Sequence, residues 1–266
     1  MHSPDVYWVI GDSTNCGKTT LTCATARVLN ASGRSAIAFK PILGTRFKET
    51  YELLLNYNPE SEYGLCGDES INLFLSSDLS DWKLLDVVNP FWMLFRESIK
   101  EPMLVRCGSK SLNTLSYHKS RLFDEFTAKK DLKNFLGYSP LSKLDMTALP
   151  TPGEYLPKIE SAYRYIEGLN PDAIVIESAG PFLPVWREEQ AVTHIIFISA
   201  GSVYLFPEIN LKKRFDTSRV LHVKNIQAEL NAAGDSARSL KMKQVERSRV
   251  SSFSDKLMAQ LLRLKD

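Results

Sequence analysis

Cysteine is scarce in this chain: four in 266 residues, Cys16, Cys23, Cys66 and Cys107, with no Cys-x-x-Cys pair among them. That excludes a disulfide framework and leaves reduced thiols in a cytoplasmic protein as the expectation. The four histidines, His2, His118, His194 and His222, lie far apart without metal-ligand spacing, so no zinc site is expected. No apolar run approaches the roughly 18–20 residues that span a bilayer. The opening MHSPDVYWVIGDS lacks a basic stretch, a long apolar stretch and a small-residue cleavage site, and so does not read as a secretory leader. Neither sign of charge dominates: 33 basic residues face 31 acidic ones, a net +2. That balance points to no nucleic acid and no membrane surface as partner. Internal repeats and low-complexity segments are also missing.

What is present is ordinary globular material, 44% hydrophobic and 24% charged. The length suits one large α/β domain. VYWVI (6–10) reads as a buried strand. TTLTCATARVLNASG reads as a helix ending at Gly33, and RSAIAFKP as a strand stopped by Pro41. Further strands are expected at DVVNP (86–90), 173–177, 193–201 and, more weakly, 220–225. Helices are expected around 70–79, over 158–169 and over 251–264. Buried strands alternating with helices predict a doubly wound, mostly parallel sheet flanked by helices. The polar stretch from about 108 to 150 reads as an insertion or lid on a single domain covering 1–266.

The sharpest motif is Gly11-Asp12-Ser13-Thr14-Asn15-Cys16-Gly17-Lys18-Thr19-Thr20, set between the first strand and the first helix. That is the context of a P-loop NTPase. Loop and helix N–H groups pointing into one concavity favour phosphate. Gly17 permits close backbone approach. Lys18 offers a point charge to the terminal phosphates, and the Thr19 hydroxyl a ligand for Mg²⁺. Lys40 and Glu177 each end a strand at the sheet edge where such folds bind ligands. A carboxylate at the position of Glu177 suits Mg²⁺.

Five residues separate Gly11 from Gly17, one more than the usual form. In this the loop resembles that of the dethiobiotin synthetases. Three further segments follow in the order of that family: Phe39-Lys40-Pro41-Ile42, Val88-Asn89-Pro90-Phe91, and Ile174-Val175-Ile176-Glu177-Ser178-Ala179-Gly180. The resemblance covers residues 6–185. It implies an ATP- and Mg²⁺-dependent ligase of biotin biosynthesis, acting as a homodimer. A diamine, 7,8-diaminononanoate, takes up CO₂ as a carbamate; ATP phosphorylates the carbamate; the second amine closes the cyclic urea. Catalytic roles fall by resemblance on Lys18, Lys40 and Thr14. Nucleotide contacts fall on Asn15, Cys16, Gly17, Lys18, Thr19 and Thr20. Metal contacts fall on Thr19, Glu177 and either Asp68 or Glu69.

The departures cluster on the substrate side. Ser13 stands where the family has an acid, which here is Asp12, one place earlier. Gly44-Thr45 replaces a serine-glycine pair that touches substrate. Pro181 lacks an N–H that could hold phosphate. Ser202 and Asn225 are weak counterparts of late contacts, and Lys129 and Lys130 lie in the 108–150 stretch. This pattern leaves three alternatives: a P-loop ATPase or small-molecule kinase with another substrate, a nucleotide-binding switch, or an inactive scaffold.

Overall fold

The computed structural model describes residues 3–13, 15–56, 58, 60–97, 99–127, 144–179, 192–199, 202–207, 238–241 and 250–263. The chain divides into two compact units. One is formed by 1–40, 75–78 and 167–266, the other by 41–74 and 79–166.

The first unit is built on β1 (Asp5–Gly11), whose run Val6 to Ile10 is buried on both faces. A strand buried on both faces suits the interior of a parallel sheet, where both sides carry other elements. β1 lies between β8 (Ala173–Glu177) and β9 (His194–Ser199), parallel to each, and β2 (Ala36–Phe39) is parallel to β8 on its far side. Helix α1 (Lys18–Ala31) follows β1 and packs on this sheet. It ends at Ser32, and Gly33 takes a left-handed φ of 83°, a turn that a glycine makes without steric cost.

Beyond β9 the direction reverses. β10 (Ser202–Pro207) pairs antiparallel with β9, and β11 (Arg238–Lys241) antiparallel with β10, giving the order β11-β10-β9-β1-β8-β2. The sheet is therefore mixed rather than mostly parallel. The reason is connection length: Ser199 pairs with Ser202, and a two-residue link makes a hairpin, whereas a parallel return needs a crossover of about a dozen residues.

The second unit has its own five-stranded mixed sheet, β3-β4-β5-β6-β7. Its strands are β3 (Ile42–Arg46), β4 (Phe91–Phe95), β5 (Pro102–Cys107), β6 (Ser116–Lys119) and β7 (Met146–Ala148). The short connections β4–β5 and β5–β6 are antiparallel, and the long ones β3–β4 and β6–β7 are parallel. Helices α2 (Phe47–Asn56), α4 (Arg121–Thr127) and α5 (Pro152–Gly168) accompany it. Helix α3 (Asp68–Ser76) runs from the second unit into the 75–78 segment of the first. Leu43, Leu54, Leu65, Trp92, Leu94, Met103, Leu104, Tyr117 and Phe123 form the second unit's core.

Three expectations change here. The segment 86–90 is not a strand: a 3-10 turn at Trp82–Leu84 leads into it, and pairing starts only at Phe91. Asp86 and Asn89 are buried there as hydrogen-bonding groups, a use that competes with a strand ladder. The 108–150 stretch supplies two strands and a helix to the second sheet. The helix expected from 158 begins at Pro152, after Thr151, whose amide and hydroxyl donate to the Glu154 carboxylate at 2.7 and 2.8 Å. This capping-box pattern, with Pro at the first helical position, was legible in Thr151-Pro152-Gly153-Glu154. Helix α6 (Val250–Arg263) matches its expectation; the weak strand at 220–225 lies outside the described residues.

A buried polar network organises the turn after β5. The Asp86 carboxylate accepts from Gly64 N (2.8 Å), Ser109 Oγ (2.6 Å) and Lys110 N (2.8 Å). Arg106, fully buried, donates to the carbonyls of Gly108 (2.8 Å) and Asn89. Beside them, burial first, and then the Asp86 charge, push the Cys66 thiol up to about 12 against the opposing pull of Arg106. Asp86→Ala strands three donors and leaves the guanidinium without its nearby anion. A loss of about 3 kcal/mol or more is expected by urea unfolding. An unchanged urea midpoint would show that the network contributes nothing net.

Candidate functional site

The site lies in the first unit, at the C-terminal ends of its parallel strands. β1 ends at Gly11, and the chain turns through the loop into α1. Asn15 has φ 62° and Gly17 φ 97°, so the loop takes left-handed turns before the helix starts. Glycine adopts this region freely, and asparagine more readily than other residues. Gly11 is required for a different reason: a Cβ there would fall 2.2 Å from Cys16 Sγ. The loop thus folds back against the strand it leaves. Among the described residues no side chain caps α1, and its first turn holds no acid, so its N-terminal N–H groups keep a positive dipole end that favours anions.

Lys18 is buried, with 6% of its surface exposed, and its ammonium donates to the Ser13 carbonyl at 2.8 Å. Asp12 anchors the outer side of the loop. Its amide donates to Ile198 O at 3.1 Å, and its carboxylate accepts from Ser13 Oγ (2.9 Å) and Ser199 Oγ (2.8 Å). The acid displaced by one position therefore ties the loop to the end of β9. Ser199 was missed by sequence reasoning, since a contact spanning 187 positions leaves no local pattern.

Three of the expected residues meet around one carboxylate. Glu177, at the end of β8, is 2% exposed. Its Oε1 accepts from Thr19 Oγ1 at 2.9 Å and pairs with Lys40 Nζ at 2.8 Å. Lys40 Nζ also reaches Thr19 Oγ1 at 3.4 Å. Register explains the meeting: Val9 lies beside Glu177 in the β1–β8 pair, and Phe39 beside Ile176 in the β2–β8 pair. β2 and β8 therefore end at one level, beside Val9 of β1, and Ser178 N continues the ladder to Val9 O at 3.0 Å.

The donor set fits Mg²⁺. Thr19 Oγ1 and Glu177 Oε1 are hard oxygens converging on one cationic group, the Lys40 ammonium. Among the described residues, no cluster of three His, Cys, Asp or Glu is arranged to hold a metal. Mg²⁺ commonly completes its coordination with water.

Asn15 is exposed, and Cys16, Thr19 and Thr20 are half-buried. Asp68 and Glu69 belong to the second unit, in the first turn of α3. Burial first, then the charges of Glu52, Glu69 and Glu49, raise the Asp68 carboxyl above its ordinary value. Gly44 and Thr45 lie inside β3, where Thr45 is buried. Ser202 opens β10 opposite Ser199. Thr14, Lys129, Lys130, Pro181 and Asn225 lie outside the described residues. No described helix is long and apolar enough to cross a membrane.

No known protein-family model matches the chain, and comparison with curated proteins finds no match.

Two outcomes follow from this geometry. Lys40→Ala removes the ammonium from a carboxylate that is almost fully buried, and is expected to cost about 3 kcal/mol in urea unfolding. Adding Glu177→Gln to that variant should recover part of the loss; strict additivity of the two changes would show that the pair is not coupled. Cys16 is half-buried, while Cys23, Cys66 and Cys107 are buried. Titration of the native protein with a disulfide reagent should therefore give one fast thiol, and that thiol should be lost in Cys16→Ser. Two or more fast thiols would contradict the burial.

Proposed function

We propose that the chain is an ATP- and Mg²⁺-dependent phosphoryl-transfer enzyme, and that its reaction is ring-closing carboxylation of a diamine of the dethiobiotin synthetase kind. The observation that carries this reading is the gathering of Lys40, Thr19 and Glu177 where the phosphate loop enters α1. Transfer of a γ-phosphoryl group needs little covalent help from protein; it needs cations around the phosphate and a fixed geometry. Lys18 and the N–H groups of residues 15–20 would bind the phosphates. Thr19 and Glu177 would hold Mg²⁺, which neutralises charge on the β- and γ-phosphates when bound.

Lys40 has a particular task in this scheme. Its ammonium is compact and carried on a flexible stem, so it can leave Glu177 and turn to the incoming oxygens. Directed at the carbamate and the γ-phosphate, it would hold the two anions together for in-line attack. The carbamate oxygen then takes the phosphoryl group and ADP leaves. The second amine attacks the activated carbon, phosphate departs, and the urea ring closes.

A second reading shares the nucleotide chemistry but changes the acceptor. It is favoured by the position of Gly44 and Thr45. The pair that the resemblance places on substrate sits within β3, with Thr45 buried.

The deciding experiment mixes the protein with Mg-ATP, bicarbonate and 7,8-diaminononanoate and seeks the cyclic urea by mass. Product establishes the ring-closing reaction. ATP binding by calorimetry without product transfers the conclusion to the changed acceptor. In either case Lys18→Ala should lower nucleotide turnover by about 10²-fold or more. Full turnover in that variant would refute the phosphate-loop assignment. Glu177→Gln should move the Mg²⁺ titration to higher concentration, because a neutral amide is a poorer ligand for a hard cation.

A further inference from the structure

The second unit carries a polar constellation that the nucleotide chemistry does not use. Ser116 and His118 are two apart on β6 and so share one face of its sheet. Helix α5 brings Lys158 to the same place. Ser116 Oγ lies 2.8 Å from His118 Nε2 and 2.7 Å from Lys158 Nζ, with the Cys107 carbonyl more distant at 3.4 Å. On the other side of the ring, His118 Nδ1 is 2.7 Å from the Ala148 carbonyl and 2.9 Å from Thr147 Oγ1.

The partners fix the direction of every bond for a neutral imidazole. A carbonyl only accepts, so Nδ1 carries the ring proton and gives it to Ala148 O. Nε2 is then an acceptor. An ammonium only donates, so Lys158 takes a lone pair of Ser116 Oγ. The one remaining proton, that of the hydroxyl, then has Nε2 at 2.8 Å as its nearer acceptor, ahead of the Cys107 carbonyl at 3.4 Å. This is the order of an activated nucleophile: hydroxyl, base, and a group that orients the base. A cation beside Oγ further favours negative charge on that oxygen.

Access and burial are divided in the way catalysis requires. The ring of His118 is buried at 7% exposure, held by the β6–β7 pairing that sets it beside Thr147. Ser116 and Lys158 are half-buried, and Thr147, Ala148 and Glu154 are exposed around them. Glu154, one turn before Lys158 on α5, adds a carboxylate whose interaction reaches both His118 and Lys158.

We propose that Ser116 is the nucleophile of an acyl-transfer site, with His118 as its general base and Lys158 as the cation beside the reacting oxygen, acting on small carboxylic esters. Ser116 Oγ bonds to the ester carbonyl carbon while its proton passes to Nε2, and the carbonyl electron pair moves onto oxygen. When that pair returns, the bond to the alcohol oxygen breaks and the alcohol leaves with the proton from His118. Water, deprotonated by Nε2, then attacks the acyl-serine. The carboxylic acid is released and Ser116 recovers its hydrogen, so ester and water become acid and alcohol. The site rests on residues of the second unit alone.

The test uses the full chain with p-nitrophenyl acetate. Expected is a burst approaching one p-nitrophenolate per chain, with fragmentation mass spectrometry placing the acetyl group on Ser116. Ser116→Ala should abolish the burst, with circular dichroism unchanged. Ser116→Cys should restore it, because it keeps a nucleophile in place. His118→Gln should slow it by about 10²-fold or more. Acetyl on Lys158 or any residue other than Ser116, or release by the parent no faster than by Ser116→Ala, overturns the proposal.

Discussion

A single carboxylate in the interior holds the first unit's functional end together. Glu177 is at the end of β8 and almost without solvent, so its charge needs compensation nearby. Lys40 supplies an ammonium at 2.8 Å and Thr19 a hydroxyl at 2.9 Å. These partners come from the residue after β2 and from the first turn of α1. One charge therefore brings together the ends of two neighbouring strands and the start of a helix. The same oxygens that satisfy a lysine suit a hard divalent cation.

The loop between β1 and α1 adds steric terms of its own. Gly11 has no room for a side chain against Cys16, and Gly17 enters the helix through a left-handed turn. Asp12 reaches across to Ser199, so the loop is tied to β9 as well as to β1. In the second unit a different buried charge does comparable work. Arg106 and Asp86 organise the turn after β5, and the neighbouring strand β6 of the same sheet carries the Ser116–His118 pair.

Much of the first unit was legible because its signals are local. VYWVI followed by a glycine-bounded loop and a helical pattern could be read from spacing alone, and β1 and α1 are found there. Strands 36–39, 173–177 and 194–199 were visible as short apolar runs between turn residues. Lys40 and Glu177 could be singled out as strand-end charges, but not as partners. The second unit was harder. Its strands are short, and 86–90 looked like a strand because Val87 and Val88 are apolar and β-branched. In fact those residues are buried in a turn whose polar members bond to β5 and its following loop. The helix over 158–169 was legible from its apolar period, but its start at Pro152 was not, because the capping pattern before it, not that period, marks the start.

By itself the sequence determined the buried strands and the first helix of the first unit, and singled out the charged residues at their ends, since periodicity, turn residues and caps act over a few positions. Tertiary structure decided the rest. It decided that hairpin returns make both sheets mixed, that Thr19, Lys40 and Glu177 share one point, and that Ser116 meets both His118 and Lys158. Those outcomes depend on strand register and on contacts between residues far apart in the chain. A long-range pairing is selected by the burial and compensation of whole faces and charges, and that sum is not written in any short stretch of residues.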